Sequence, residues 1–267
     1  MIMIYKQGFS LIELSIVLVV LGLLTGGILS GQSLIRAAEL RAITSEYQQF
    51  ETALQTFRGK YGAIPGDLSN ATAFWGSAVG ASCQNNQASG NGTGTQTCNG
   101  DGNGYVTYGS HHGSVQNAYV EMFMFWQHLA NAGMIHGTFT GRSGQIFFDD
   151  ATIGVNVPAS KFSGGGWSIL DDMIPGHHSD SNSDAYSTNH KYPMIFGGQR
   201  SSHELYEPLL MPEEAWNIDS KMDDGIGIQG NVVMELHYND ACRTYHTTPH
   251  TYDVTRSEKI CTLIFRR

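Results

Sequence analysis

The sequence is poor in charged residues, and positive charge is scarcer than negative charge. Charged residues make up 15% of the 267 residues, where about 25% is usual for a soluble domain. Lysine and arginine together number 15 against 24 aspartates and glutamates, so the formal net charge is −9. Because a nucleic-acid-binding groove needs a basic surface, this balance argues against a nucleic acid partner.

The common catalytic and metal-binding motifs are absent from the sequence as well. It contains no CxxC pair, no HExxH, no GxxxxGK[ST] phosphate loop and no GxSxG elbow. The eleven histidines include two adjacent pairs, but none of them shows a metal-ligand spacing. Nothing in the sequence therefore requires catalysis, and we interpret the protein as not an enzyme.

One long apolar run contrasts with the polar remainder of the chain. Residues 9–29 read FSLIELSIVLVVLGLLTGGIL, which is 21 residues with a single charge, Glu13. As a helix with a rise of about 1.5 Å per residue, the run would be roughly 30 Å long, the thickness of a bilayer's hydrocarbon core. The eight residues before it carry one charge, Lys6, which favours a cytoplasmic N-terminus. We predict one membrane span over about 9–29.

Glu13 is not explained by a plain membrane anchor or by a secretory signal peptide. A carboxylate inside a span costs about 2.5–3.5 kcal/mol on insertion scales, so it needs a partner. Residues 9–29 contain no lysine, arginine or histidine. The only nearby cation would be a new α-amino group, formed by cutting the chain between Gly8 and Phe9. Because Phe9 and Glu13 lie on one helix face, that amine could reach this carboxylate or the one of a neighbouring copy.

Residues 8–13, GFSLIE, resemble the processing motif of type IV prepilins and type II secretion pseudopilins. The resemblance implies cleavage after Gly8 by a prepilin peptidase, which also acts as N-methyltransferase on Phe9. It implies that Glu13 neutralises the N-terminal amine of an adjacent subunit during assembly. One feature departs from many members of these families, because no proline precedes Pro65.

The apolar positions become periodic after the predicted span. Six of them are spaced by three or four residues and predict one face of an amphipathic helix: Ile43, Tyr47, Phe50, Leu54, Phe57 and Tyr61. We interpret this aromatic stripe as core packing. The polar residues between them, Glu46 and Glu51 included, suit a solvent face. Gly59, Gly62 and Pro65 then end the helix, which is predicted over 9–60.

The remaining residues, 61–267, predict a globular domain with loops rich in glycine and asparagine. Residues 61–75 suggest a turn-rich connection, and helices are expected over 114–132 and about 212–222. Short β-prone segments predict an antiparallel sheet: 145–148, 167–170, 192–196, 231–238 and 261–265. The expected fold class is α+β, a long N-terminal helix packed on a small antiparallel sheet, which is pilin-like.

For the whole chain, the resemblance implies a leader over 1–8, a helix over 9–60 and a globular domain over 61–267. It implies a single-pass inner-membrane protein with a cytoplasmic leader and a periplasmic globular domain. Such a protein enters an envelope or surface filament, either a type II secretion pseudopilus or a type IV pilus. Its partners would be copies of itself or other pilin-like subunits and an inner-membrane assembly platform. The alternative is a membrane-anchored binding or adhesin domain that does not polymerise.

Four cysteines allow three disulfide pairings. Proximity in the sequence favours Cys83 with Cys98 and Cys242 with Cys261. The predicted membrane orientation places all four in an oxidising compartment, where disulfides form and persist. We therefore expect two disulfides rather than four free thiols.

Residues 99–104, NGDGNG, are similar to the start of a calcium-binding loop, with side-chain oxygens at alternate positions and glycine at the sixth. The twelfth position of such a loop should be glutamate, but this chain has Ser110 there. We therefore interpret the segment as a flexible turn of asparagine, aspartate and glycine.

A second acidic segment, Asp219, Asp223 and Asp224, lies at the end of the short helix predicted near 212–222, before Gly225. Like charges four residues apart repel each other, and negative charge at a helix C-terminus opposes the helix dipole. A compensating cation is expected there, either calcium or a basic side chain such as Lys221. The sequence indicates no other cofactor.

Overall fold

The computed structural model describes residues 10–78, 83, 92–107, 118–144, 150–170, 192–201, 203–235, 240–244 and 250–266. The chain forms two compact units, Met1–Arg41 and Ala42–Arg267. The first helix, α1, covers Leu11–Tyr61 and so contributes residues to both units. A long N-terminal helix together with a four-stranded antiparallel sheet confirms the predicted α+β fold class.

In the first unit, the N-terminal part of α1 is apolar and exposed. Every leucine, isoleucine and valine within residues 11–29 is exposed. The hydroxyl groups of Ser15, Thr25 and Ser30 donate to backbone carbonyls one turn earlier in the same helix. The hydrocarbon core of a membrane offers no hydrogen-bond partners, so the polar groups of a spanning helix must be paired within the helix. Among the residues that the structure describes, α1 is the one helix long and apolar enough to cross a membrane.

In the second unit, the aromatic stripe of α1 packs into the core, as the sequence predicts. Ile43, Leu54 and Phe57 have no exposed surface. The ring of Tyr47 stacks on Phe265 with 4.7 Å between centroids, and Phe50 meets the edge of Trp126 at 5.0 Å. These contacts bury the face of the helix on which apolar residues recur every three or four positions.

The sheet consists of four short antiparallel strands in the order β1-β2-β4-β3. The strands are β1, Gly165–Ile169; β2, Met194–Gly198; β3, Val232–Met234; and β4, Leu263–Phe265. Trp167 lies opposite Phe196, and Ile264 lies between Ile195 and Val233. Every strand residue is buried, which indicates that both faces are covered. Four of the five predicted β segments overlap these strands; the fifth, 145–148, lies outside the described residues.

Three further helices complete the second unit: α2, Ala71–Trp75; α3, Glu121–Asn131; and α4, Pro212–Met222. The prediction for α4 is confirmed at both ends. The helix predicted over 114–132 begins later than predicted, at Glu121, because residues 118–120 are not helical and Val120 is extended; residues 114–117 lie outside the described part of the chain. The turn-rich connection predicted over 61–75 contains bends and turns and ends in the short helix α2.

Glu46 and Glu51 lie on the buried side of α1, so their assignment to the solvent face is wrong. Sequence periodicity places polar residues outside but cannot reveal donors from distant segments. The carboxylate of Glu46 accepts hydrogen bonds from Trp167 Nε1 at 2.9 Å, Ser160 Oγ at 2.6 Å and the Lys161 amide at 2.8 Å. Three donors compensate the cost of burying the charge, and they fix α1 against the segment leading into β1.

Replacing Glu46 with alanine is expected to lower the free energy of unfolding by about 3 kcal/mol, because it leaves several donors without an acceptor. Chemical denaturation of the detergent-solubilised chain measures the change. Gln49→Ala, at an exposed position of the same helix, is the matched control and should change the value by less than about 0.5 kcal/mol. Equal, small changes for both variants would show that the Glu46 contacts do not anchor α1.

His128 on α3 connects three segments through a buried hydrogen-bond chain. The Gly66 amide donates to its Nδ1 at 3.0 Å, and its Nε2 lies 3.0 Å from Thr97 Oγ1. Thr97 Oγ1 donates in turn to Gln127 Oε1 at 2.7 Å. This pattern places the ring proton on Nε2. Burial lowers the pKa of His128 to about 3, so the ring is neutral at pH 7.

The neutral His128 predicts that stability falls in mild acid. An unfolded histidine has a pKa near 6.5, so below that pH the unfolded chain binds a proton that the folded chain does not. Between pH 7.5 and pH 5 this histidine should cost about 2 kcal/mol of stability. Denaturation at the two pH values, for the wild type and for His128→Gln, isolates the contribution. The variant should lose about 2 kcal/mol less than the wild type, and an equal loss in both would contradict a neutral buried ring.

Candidate functional site

Glu13 lies in the first turn of α1, while Gly8 and Phe9, the two predicted processing residues, lie outside the described residues. Glu13 Oε2 accepts a hydrogen bond from the Ser10 amide at 2.8 Å. Ser10 Oγ accepts one from the Ile12 amide at 3.3 Å. The two side chains thus cap the helix start in the manner of the S-x-x-E motif. The spacing of Ser10 and Glu13 is the sequence signal for this cap.

The position of Glu13 suits a role with a positive chain end. Its carboxylate lies at the N-terminal end of α1, where the helix dipole favours negative charge. The amide that it binds belongs to Ser10, the residue directly after Phe9. Its other oxygen, Oε1, makes no hydrogen bond to any residue that the structure describes. Among the described residues, the carboxylate thus has one oxygen that accepts no hydrogen bond, near the position where cleavage would create an amine.

The cysteines lie in the two pairs that sequence proximity favours. The Cα atoms of Cys83 and Cys98 are 4.8 Å apart, and those of Cys242 and Cys261 are 5.1 Å apart, both within the range for disulfides. All four cysteines are buried and none is free. The first disulfide closes the glycine- and asparagine-rich loop, and the second connects the short 3-10 helix Asp240–Cys242 to the segment before β4.

The structure brings Asp219, Asp223 and Asp224 together at the C-terminal end of α4, with one carboxylate oxygen of each within 4.8 Å of the others. Asp219 is fully buried, and burial raises its pKa to about 6. The chain itself supplies donors to this cluster. Tyr252 Oη donates to Asp219 at 3.0 Å, and the Asn231 amide donates to Asp223.

Lys221 forms no ion pair with these carboxylates in the described part of the chain, so the basic side chain suggested as compensation is not the one used. Backbone amides that follow α4 donate hydrogen bonds to these carboxylates instead. The Gly225 amide donates to Asp219 and the Ile226 amide donates to Asp224. Calcium at this cluster stays a prediction from the sequence.

A second acidic group was missed by sequence reasoning. Asp67, Asp101 and Glu121 come from the turn after α1, the NGDGNG segment and the first residue of α3, and one carboxylate oxygen of each lies within 4.8 Å of the others. The NGDGNG segment around Asp101 is similar to the start of a calcium-binding loop, but position 110 is serine where such a loop has glutamate. The other two carboxylates come from distant parts of the chain, where no loop spacing could indicate them.

Close backbone contacts hold these segments together. Gly66 has a φ of +87°, and a side chain at this position would meet the carbonyl of Glu121. A side chain at Gly100 would overlap the backbone of Asp67. The Gly100 amide donates to the carbonyl of Leu68 at 3.0 Å. Glycine is required at both crossings because only a bare backbone allows the approach.

The acidic group is costly to ionise fully. Glu121 has no exposed surface, and burial raises its pKa to about 8, although the amides of Asp101 and Thr107 that donate to it act in the opposite direction. Burial likewise raises the pKa of Asp67 to about 6, and the neighbouring charge of Asp101 adds to the increase. In the described residues, no lysine or arginine pairs with any of the three carboxylates.

Comparison with known proteins bears on the N-terminal segment. Residues 3–29 match the family model of the prokaryotic N-terminal methylation motif. No curated protein and no solved structure matches the chain. The match covers the predicted cleavage position, Phe9, Glu13 and the apolar half of α1, and it confirms the resemblance drawn from the GFSLIE sequence. The chain therefore carries the prokaryotic N-terminal methylation motif, which is the prepilin-type signature.

Proposed function

We propose that the protein is a structural subunit of a type II secretion pseudopilus or a type IV pilus-like filament. In this proposal it is cut after Gly8, methylated at Phe9 and assembled through the N-terminal half of α1. The observation that carries the proposal is the carboxylate of Glu13, which is the only charge in the apolar residues 9–29 and accepts a hydrogen bond from the amide next to Phe9.

The exposed apolar surface of α1 supports assembly. Side chains in residues 11–29 make no core of their own, so they need lipid before assembly and other helices afterwards. Four glycines within residues 22–31 of α1 have, apart from the helix's own backbone, no other atom within 4 Å of where a side chain would begin: Gly22, Gly26, Gly27 and Gly31. Two pairs of them are spaced by four residues, the small-xxx-small pattern that allows helices to approach closely.

The same proposal assigns the location and the partners. The leader faces the cytoplasm, α1 crosses the inner membrane, and the globular unit lies in the periplasm before it enters an envelope or surface filament. Two disulfide-distance cysteine pairs fit an oxidising compartment. The partners are the prepilin peptidase and N-methyltransferase, an inner-membrane assembly platform and other pilin-like subunits, and the role is structural rather than catalytic.

The charge of Glu13 can be tested apart from its capping hydrogen bond. Glu13→Gln retains an oxygen that can accept from the Ser10 amide but removes the negative charge. We expect this variant to insert into the membrane normally and to form at least tenfold fewer filaments, measured by electron microscopy of sheared or overexpressed material. Glu39→Gln, which removes a carboxylate paired with Arg36 farther along the same helix, is the control and should assemble normally.

Normal filaments from Glu13→Gln would contradict charge pairing and leave Glu13 as a helix cap. If wild-type cells that express the processed chain form no filament, the alternative of a membrane-anchored domain that does not polymerise replaces the proposal.

A further inference from the structure

We propose that Asp67, Asp101 and Glu121 bind one calcium ion, which connects the turn after α1, the NGDGNG loop and the start of α3. The proposal concerns the second compact unit by itself. It does not depend on filament assembly or on the processing of the N-terminus.

The positions of the oxygens fit one coordination sphere. Each of the three residues offers a carboxylate oxygen within 4.8 Å of the other two. Calcium binds oxygen at 2.3–2.6 Å, so two of its ligands can be at most about 5 Å apart. Carboxylates are the preferred ligands of this hard cation, and it tolerates irregular geometry with water in the remaining positions. Magnesium demands a near-ideal octahedron at shorter distances.

A separate observation points to a missing partner inside the cluster. Asp67 is 4% exposed, and its buried Oδ1 accepts no hydrogen bond of ordinary geometry from the residues that the structure describes. Its Oδ2 accepts from the Gly104 amide at 2.9 Å. A buried carboxylate oxygen without a donor is expensive unless a cation binds it.

The other two carboxylates are held in place by hydrogen bonds from the chain. Glu121 accepts from the amides of Asp101 at 2.8 Å and Thr107 at 3.0 Å, which fixes its carboxylate beside the loop. Asp101 is exposed and accepts from Asn103 through the backbone amide and the side chain. A ligand that is exposed to solvent gives the ion a path into a site whose other two ligands are buried.

In the described residues, the cluster of Asp219, Asp223 and Asp224 has no carboxylate oxygen like Asp67 Oδ1. Each of its carboxylates accepts a hydrogen bond from the chain, and in the described residues none of its oxygens is both buried and without a partner. This contrast provides a matched control, because Asp101 and Asp224 are both exposed members of an acidic cluster and can undergo the same change to asparagine.

The experiment is calorimetric titration of CaCl2 into the chelator-treated, detergent-solubilised full chain, together with thermal unfolding with and without calcium. Wild type should bind calcium and unfold at a higher temperature in its presence. Asp101→Asn should lower the affinity at least tenfold or remove one bound ion per chain, whereas Asp224→Asn should leave this binding unchanged. Magnesium at the same concentration should compete weakly.

Asp67→Asn tests the site through stability as well as through binding. Asparagine can still accept from the Gly104 amide, and it removes the buried charge. The variant should therefore unfold at a higher temperature than wild type after chelator treatment. Its unfolding temperature should not rise when calcium is added. A purely structural Asp67 would instead give a lower unfolding temperature under both conditions, which would overturn the proposal.

The absence of calcium binding by wild type would also overturn the proposal, as would wild-type affinity in Asp101→Asn. Loss of binding in Asp224→Asn alone would place the ion at the other cluster and equally contradict it. Glu13→Gln should bind calcium like wild type, so failure of this proposal and failure of the filament function can be told apart.

Discussion

The N-terminal segment of the chain depends on one carboxylate among apolar residues. Glu13 is the only charge in residues 9–29, and placing it in hydrocarbon costs a few kcal/mol unless a cation or strong donors meet it. The structure shows one such donor, the Ser10 amide at the start of α1. Cleavage next to this amide would add a positive amine within the same turn. Helix capping and subunit pairing are therefore compatible uses of one side chain.

The globular unit follows a related rule, because buried polar groups fix how its segments meet. Glu46 accepts three hydrogen bonds from residues before and within β1, and His128 connects Gly66 to Thr97. Apolar burial supplies most of the driving force for folding, but it is not directional. Hydrogen bonds to buried groups are directional, so they select one arrangement among many that would bury the same surface.

Local patterns predicted the elements well, and long-range contacts account for what they missed. The limits of α4 and the core role of Ile43, Leu54 and Phe57 follow from spacing alone. Glu46 was misplaced because its donors lie more than a hundred residues away. The group of Asp67, Asp101 and Glu121 was missed for the same reason, since three separate segments build it. Periodicity records which side of an element is apolar but not which distant polar group it meets.

Intact-mass analysis of the membrane-extracted chain tests the central claim most directly, because it reports leader loss and methylation in one spectrum. The claim is that a positive chain end at Phe9 meets the carboxylate of Glu13. The predicted mass is that of a chain starting at Phe9 with one added methyl group and two disulfides. A chain that still starts at Met1, with Phe9 unmodified, would contradict the claim and leave only a tethered globular domain.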